Sequence, residues 1–330
     1  MKQSSKNAMT FIVCGVFILM IGVFLAISLG VIHIGITEIW NSIFNYSETL
    51  ELMLIRDVRI PRALSVLFTG GILGVTGAMI QGVTRNPIAE PSLLGVSQGA
   101  TLVVAIFYAA QITINTTNVM IASLIGAVFS GAIVLGFTSR KSNNRSITKI
   151  LLAGTAMSTF FISLTTIVGL LSNRSQFIAF WVSGGFRNAT WADFYLVAVF
   201  GILGLIIAIF LSKKINILNL GDDVAISLGE NPERIRLITF LVMIPMCAAA
   251  VAVGKNIAFV GLIVPQIVRK IFGEDYRKNI PFSFLLGSIL LVYSDIAARM
   301  VYNPYETPIG IFTALIGVPF FIAMARKERG

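Results

Sequence analysis

The chain is written as long apolar runs separated by short polar breaks. Runs at roughly 9–30, 61–82, 92–111, 118–138, 147–171, 191–212, 234–253, 257–272, 280–300 and 307–325 carry few or no charges. Most approach the ~20 residues that a helix needs to cross a bilayer core of about 30 Å. They are continuous, not alternating in segments of about ten residues, which predicts helices and argues against a membrane barrel. The pattern therefore predicts an all-α polytopic membrane protein with about ten transmembrane helices, organised as a single transmembrane domain over residues 1–330. No sizeable soluble domain remains.

Two departures from the regular pattern stand out. Between 234 and 272 the apolar run is interrupted by Gly254, Gly261 and Pro265, and the part after Lys255 is short for a full crossing, so a broken or half helix is expected there. The second departure is a polar loop at about 213–236, longer than a turn requires. Within it Leu220, Val224 and Leu228 recur at four-residue spacing, with Asp222, Asp223 and Ser227 between them, which predicts a short amphipathic helix. Asn231 before Pro232 has the form of an N-cap before a first-turn proline and predicts a second short helix.

Composition agrees with this pattern: 56% of the residues are hydrophobic and 12% charged, with a mean hydropathy of +0.88. That is too little charge to cover a soluble protein. The formal net charge of +10 would suggest nucleic acid in a soluble chain, but here the cations lie in loops between spans. With the N-terminus placed in the cytoplasm, 18 of the 25 Lys and Arg fall on the inner side and seven on the outer, which predicts that both ends are cytoplasmic. Arg56, Arg59, Arg62, Arg174, Arg187, Lys255 and Arg299 make up the outer set.

Several chemistries are limited by what the chain lacks. It has one histidine, His33, at the edge of the first span, so Ser183 has no visible base for nucleophilic catalysis. Asp222 and Asp223 lie in a loop and do not face each other across helices. No ionisable group falls clearly in mid-span, as a proton- or sodium-driven carrier would need. Gly254-Lys255 is followed by Asn256, without the spacing of a phosphate-binding loop. Cys14 and Cys247 form neither a disulfide framework nor a metal pair. Neither a catalytic site, a resident metal nor a cofactor is expected.

Against this background, RNPIAEPSLLGVSQGA, residues 85–100, places two prolines, an Arg, a Glu and an amide close together between two apolar runs. Its prolines and polar groups are expected in a turn between the second and third spans, outside the lipid core. Gly70, Gly71, Gly74 and Gly77 in the preceding run have the spacing that lets membrane helices pack closely.

Together with RIPR at 59–62, LNLGDDVAISLG at 218–229, FVGLIVPQIVR at 259–269 and DIAARMVYNPYETPIGIFTALIGVPFF at 295–321, this stretch resembles the iron-siderophore and vitamin B12 permeases of bacterial ABC importers. The resemblance runs from about Arg59 to the C-terminus. It implies the ten-helix fold of the B12 permease, the type II importer architecture, in the bacterial cell membrane. A second permease subunit (a copy or a paralogue), two cytoplasmic ATPase subunits and an extracellular substrate-binding protein are the implied partners.

Residue by residue, the resemblance implies docking of the binding protein at Arg59, Arg62 and Arg299. Local pairing is the competing expectation: Arg299 with Asp295 one turn earlier, and Asp57 with Arg56 or Arg59. ATPase coupling is implied for Gly221, Asp222, Asp223, Leu228 and Gly229, and a cytoplasmic gate for Asn86, Pro87 and Ile88. A second, poorly matched gate segment falls at about 144–146. Gly154, Met157 and Ser158 correspond to the helix that lines the pathway. The expected cargo is a ferric siderophore or related iron chelate, with haem or cobalamin, or an ATP-independent channel or carrier, as alternatives.

Overall fold

The computed structural model describes residues 2–30, 34–45, 47–112, 115–138, 147–176, 181 and 183–327. Ten of its helices coincide with the ten apolar runs: α1 Lys2–Ser28, α2 Ile60–Thr84, α3 Val96–Ala109, α4 Thr116–Thr138, α5 Ile147–Leu171, α6 Trp191–Asn219, α7 Pro232–Gly254, α8 Val260–Phe272, α9 Tyr276–Met300 and α10 Ile309–Lys327. Among the described residues, seven helical segments are long and apolar enough to cross a membrane, and α3 and part of α10 are shorter apolar helices. Large apolar side chains such as Phe17, Met20, Phe210 and Leu315 stand exposed around the bundle. Such a surface would aggregate in water and is stable against lipid or a partner subunit.

α2 is the axis of the fold, buried along most of its length and packed against α6, α7, α8 and α9. Lipid gives no hydrophobic drive to helix association, so close backbone approach has to hold the bundle together. The α2 glycines provide it: a Cβ at Gly70 would strike the Gly287 carbonyl, at Gly74 the Ser283 carbonyl, and at Gly77 the backbone of Gly261. Gly71 is filled by the Phe284 ring. These glycines pack helices, as their spacing predicts.

The 234–272 region resolves into one whole helix and one partial one. α7 runs unbroken through Pro245, and the chain then turns through Lys255 and Phe259, both at positive φ. α8 has 13 residues, about 20 Å of helix against a core of about 30 Å. It is the half helix that the short run after Lys255 announces, whereas Gly261 and Pro265 lie within it and do not break it.

Three expectations are corrected. α6 does not stop near 212 but continues to Asn219, because Lys213 and Lys214 extend a helix leaving the membrane at no helical cost. Asn231 caps a helix as expected, its side chain accepting from Arg234 N–H at 3.1 Å, but that helix is α7 itself and not a second short one. Between 30 and 60, where no element is expected, a nine-residue amphipathic helix, Ile36–Phe44, is followed by Leu50–Met53 and a π-helical turn, Leu54–Arg59, leading straight into α2.

Candidate functional site

The 25 residues of α2 separate two polar clusters by about 35 Å. At its first end lie the three arginines singled out from the sequence. Arg62 is clamped between Asp295 (Nη2 to Oδ1 2.8 Å, Nε to Oδ2 3.2 Å) and Glu306 (2.6 and 3.2 Å). Its side chain and that of Asp295 are 9% and 2% exposed. Arg299 Nε lies 3.1 Å from the same Asp295, the one-turn pairing that the spacing suggests.

Arg59 and Arg299 also serve α1. The last carbonyls of a helix have no intrahelical donor and carry partial negative charge. Arg59 donates to Ile27 O and Ser28 O at 2.7 and 2.9 Å, and Arg299 to Leu29 O and Ala26 O at 3.2 and 3.0 Å. The two guanidiniums thus cap the end of α1. All three arginines have partners within the chain.

A cavity of about 90 Å³ opens beside this cluster, bordered by Arg62, Ser183, Arg187, Glu306 and Pro308. Burial would raise the Glu306 carboxyl, but the hydrogen bond and charge of Arg62, with Arg187 and Arg299 behind it, hold it below its ordinary value. Lys255 donates to Gly185 O at 2.6 Å. Burial, then repulsion from Arg62, lowers its ammonium to about 8.

At the other end of α2 the 85–100 stretch forms a tight polar turn. Asn86 Oδ1 accepts from Ile88 N–H at 3.0 Å, and Ile88 itself is exposed. The turn is held from behind by two buried glutamines. Gln266 on α8 donates to Pro87 O (2.9 Å) and Gln81 Oε1 (2.6 Å), and Gln81 donates to Ala89 O (3.3 Å) and Leu262 O (3.1 Å). Glu90 accepts from Phe259 N–H at 2.8 Å, at the start of α8. Its enclosure raises the carboxyl to about 7, against the opposing pull of the Phe259 and Ser92 hydrogen bonds.

The amphipathic loop helix is Asp222–Ser227. Gly221 and Gly229 flank it at φ 130° and 80°, a region that favours glycine. Gly229 N–H bonds Ile226 O and Glu230 N–H bonds Ala225 O, both at 2.9 Å, the paired closure of a glycine-terminated helix. Ala225 is buried, whereas Leu220, Ile226 and Leu228 are 60–68% exposed. Asp222 does not face outward with them: it receives Arg236 at 2.7 and 3.0 Å and Arg85 at 2.8 Å.

On α5, Gly154 and Met157 lie beside Gly95, and Ser158 donates to Ser92 O at 3.0 Å. These three residues therefore pack α5 against the turn that opens α3. The exposed side of α5 instead shows Thr155, Thr159, Ser163 and Thr166. Thr159, Ser163 and Thr166 each return the hydroxyl proton to a carbonyl four residues back, at 3.0–3.1 Å. This stripe was overlooked in the sequence, although its spacing of three to four residues is the signal that reveals it. The segment at 144–146 lies outside the described residues.

Ten packed helices, one of them a half helix behind a polar turn, and an exposed apolar loop helix define a polytopic transport permease. Residues 18–327 match the FecCD transport family, and the chain belongs to that family. It is 39% identical over 324 residues to the iron(3+)-hydroxamate import system permease protein FhuB of Bacillus subtilis (strain 168), covering 98% of this chain and 84% of that one. It is 38% identical over 331 residues to the Fe(3+)-citrate import system permease protein YfmD of the same strain, covering 99% and 97%. A solved ABC transporter of metal-chelate type, in an inward-facing conformation, matches with a TM-score of 0.83 at 25% identity, covering 95% of this chain and 97% of that one. The protein is thus a multi-pass permease of the cell membrane and not an enzyme.

Proposed function

We propose that this chain is the membrane-spanning subunit of an ABC importer that carries a ferric siderophore or related iron chelate into the cytoplasm. The observation that carries the reading is the end-to-end match to permeases named for iron(3+)-hydroxamate and Fe(3+)-citrate import. Energy comes from two ATPase subunits, cargo from an extracellular binding protein, and the pathway forms with a second permease subunit, either a copy or a paralogue. Both termini are cytoplasmic in this reading.

The Arg85 end of α2 then faces the cytoplasm, with Asn86, Pro87 and Ile88 as the gate. Gly221, Asp222, Asp223, Leu228 and Gly229 form the coupling segment. The glycines shape its helix, and the apolar side of Leu220, Ile226 and Leu228 enters a groove on the ATPase. On the outer face the binding protein docks over Arg59, Arg62 and Arg299. Arg62 is the exchangeable contact, because Glu306 is its more exposed partner, at 26%, and an incoming carboxylate can replace it. Gly154, Met157 and Ser158 position α5, whose Thr155, Thr159, Ser163 and Thr166 face the pathway. Hydroxyls already bonded to their own helix, as at Thr159, Ser163 and Thr166, offer a bulky chelate only weak contacts, which suits passage over retention.

Uptake of radiolabelled ferric hydroxamate, ferric citrate, haem and cobalamin by cells lacking the chain, before and after complementation, tests the reading. Restored uptake of one ferric chelate, abolished by ATP depletion, is expected. Uptake that survives ATP depletion would make the protein a channel or carrier, and restoration of cobalamin alone would refute the iron assignment.

A further inference from the structure

The Arg85 side chain is the first link in a chain of contacts joining the coupling helix to the gate. Arg85 ends α2 in the left-handed conformation, at φ 51°, ψ 31°, and is bonded directly to Asn86. Its guanidinium reaches Asp222 Oδ1 at 2.8 Å. The same carboxylate receives Arg236 of α7 through both oxygens, and Arg236 Nε also donates to Val83 O, in the last turn of α2, at 3.3 Å. The end of α2, the loop helix and the start of α7 thus meet on one carboxylate. The side chains of Arg85, Asp222 and Arg236 are 34%, 39% and 16% exposed, enough shielding for charged hydrogen bonds to be directional and enough water for one to open.

We propose that Arg85 is a positioning residue that converts displacement of the Asp222–Ser227 helix into movement of Asn86–Ile88. The inference rests on the importer reading. Two features favour transmission over slack. The Asn86 Oδ1 bond to Ile88 N–H makes the turn a unit, so a pull on Arg85 is not absorbed by free rotation at Asn86. The far side of that unit is anchored to α8 and α2 through the Gln266 bond to Pro87 O and the Gln81 bond to Ala89 O, which gives the turn a fixed point to pivot on. Arg236 holds Asp222 by two bonds while Arg85 holds it by one. The Arg85 bond can therefore open and close without releasing the coupling helix, as a two-state element must.

The test uses the complete complex in proteoliposomes, with the wild type, Arg85→Gln and Arg85→Lys. Three quantities are read: ATP hydrolysis, chelate imported per ATP, and ATP-dependent labelling of an introduced cysteine in Ile88→Cys by a polar maleimide, with Cys14 and Cys247 replaced. Arg85→Gln is expected to assemble and hydrolyse ATP, while import per ATP falls about five- to tenfold, the lower range for coupled sites. Labelling at position 88 should lose its response to ATP, and Arg85→Lys should recover most of both. Unchanged import per ATP in Arg85→Gln overturns the proposal. Loss of ATPase assembly in that variant also overturns it, since Arg85 would then be an assembly contact. A wild-type complex with no ATP-driven uptake would instead overturn the importer reading, and the link with it.

Discussion

Replacing Glu90 by Gln removes a titration while keeping the acceptor for Phe259 N–H, bonded at 2.8 Å. Enclosure raises the Glu90 carboxyl from 4.5 to about 7, which corresponds to at most about 3 kcal/mol of disfavoured ionisation. Folded protein holds this proton where the unfolded chain has released it. Stability therefore falls as pH rises from about 4.5 to about 7 and levels off above that. Glu90→Gln removes this component of the slope and is expected to raise the unfolding temperature at pH 8 by up to about 5 °C, with little change at pH 4.5. Tryptophan fluorescence during heating of the detergent-solubilised protein, at a series of pH values, measures it. A variant whose pH dependence matches that of the wild type, or that is less stable at pH 8, would refute the reasoning. The second outcome would mean that the ionised carboxylate strengthens the start of α8 more than its enclosure costs.

Two further expectations follow from packing and charge. Gly77→Ala places a methyl group against the Gly261 backbone, which cannot rotate away, and should cost about 2–3 kcal/mol by overpacking; Gly310→Ala meets only Ser183 O at 3.7 Å and should be silent in the same melting assay. Arg62→Met leaves Asp295, 2% exposed, with one fewer cation and should cost about 3–5 kcal/mol; adding Asp295→Asn and Glu306→Gln should recover much of it, and an unchanged melting temperature for Arg62→Met alone would show that the pair does not hold the bundle.

The ten helices were legible in the sequence because lipid demands an apolar run of each helix, and that demand is local. The half helix was legible for the same reason, since the apolar run after Lys255 is too short for a full crossing. The nine-residue helix at Ile36–Phe44 was missed because its run is too short to register as a span. The glycines of α2 could be read as packing positions, although not their partners, since Gly287, Ser283 and Gly261 lie on other helices.

The polar residues divide in the same way. Sequence and resemblance singled out Arg59, Arg62 and Arg299 as a set at one end of the bundle, and Asn86 to Ile88 as a turn at the other. Only the fold revealed that two of the arginines cap α1 while the third is held by Asp295 and Glu306, or that Asp222 turns inward to Arg85, 137 residues away. Hydropathy records whether a position meets lipid, protein or water, and each residue carries that information itself. Which donor meets which acceptor depends on how separate helices pack, and that is decided by the tertiary structure alone.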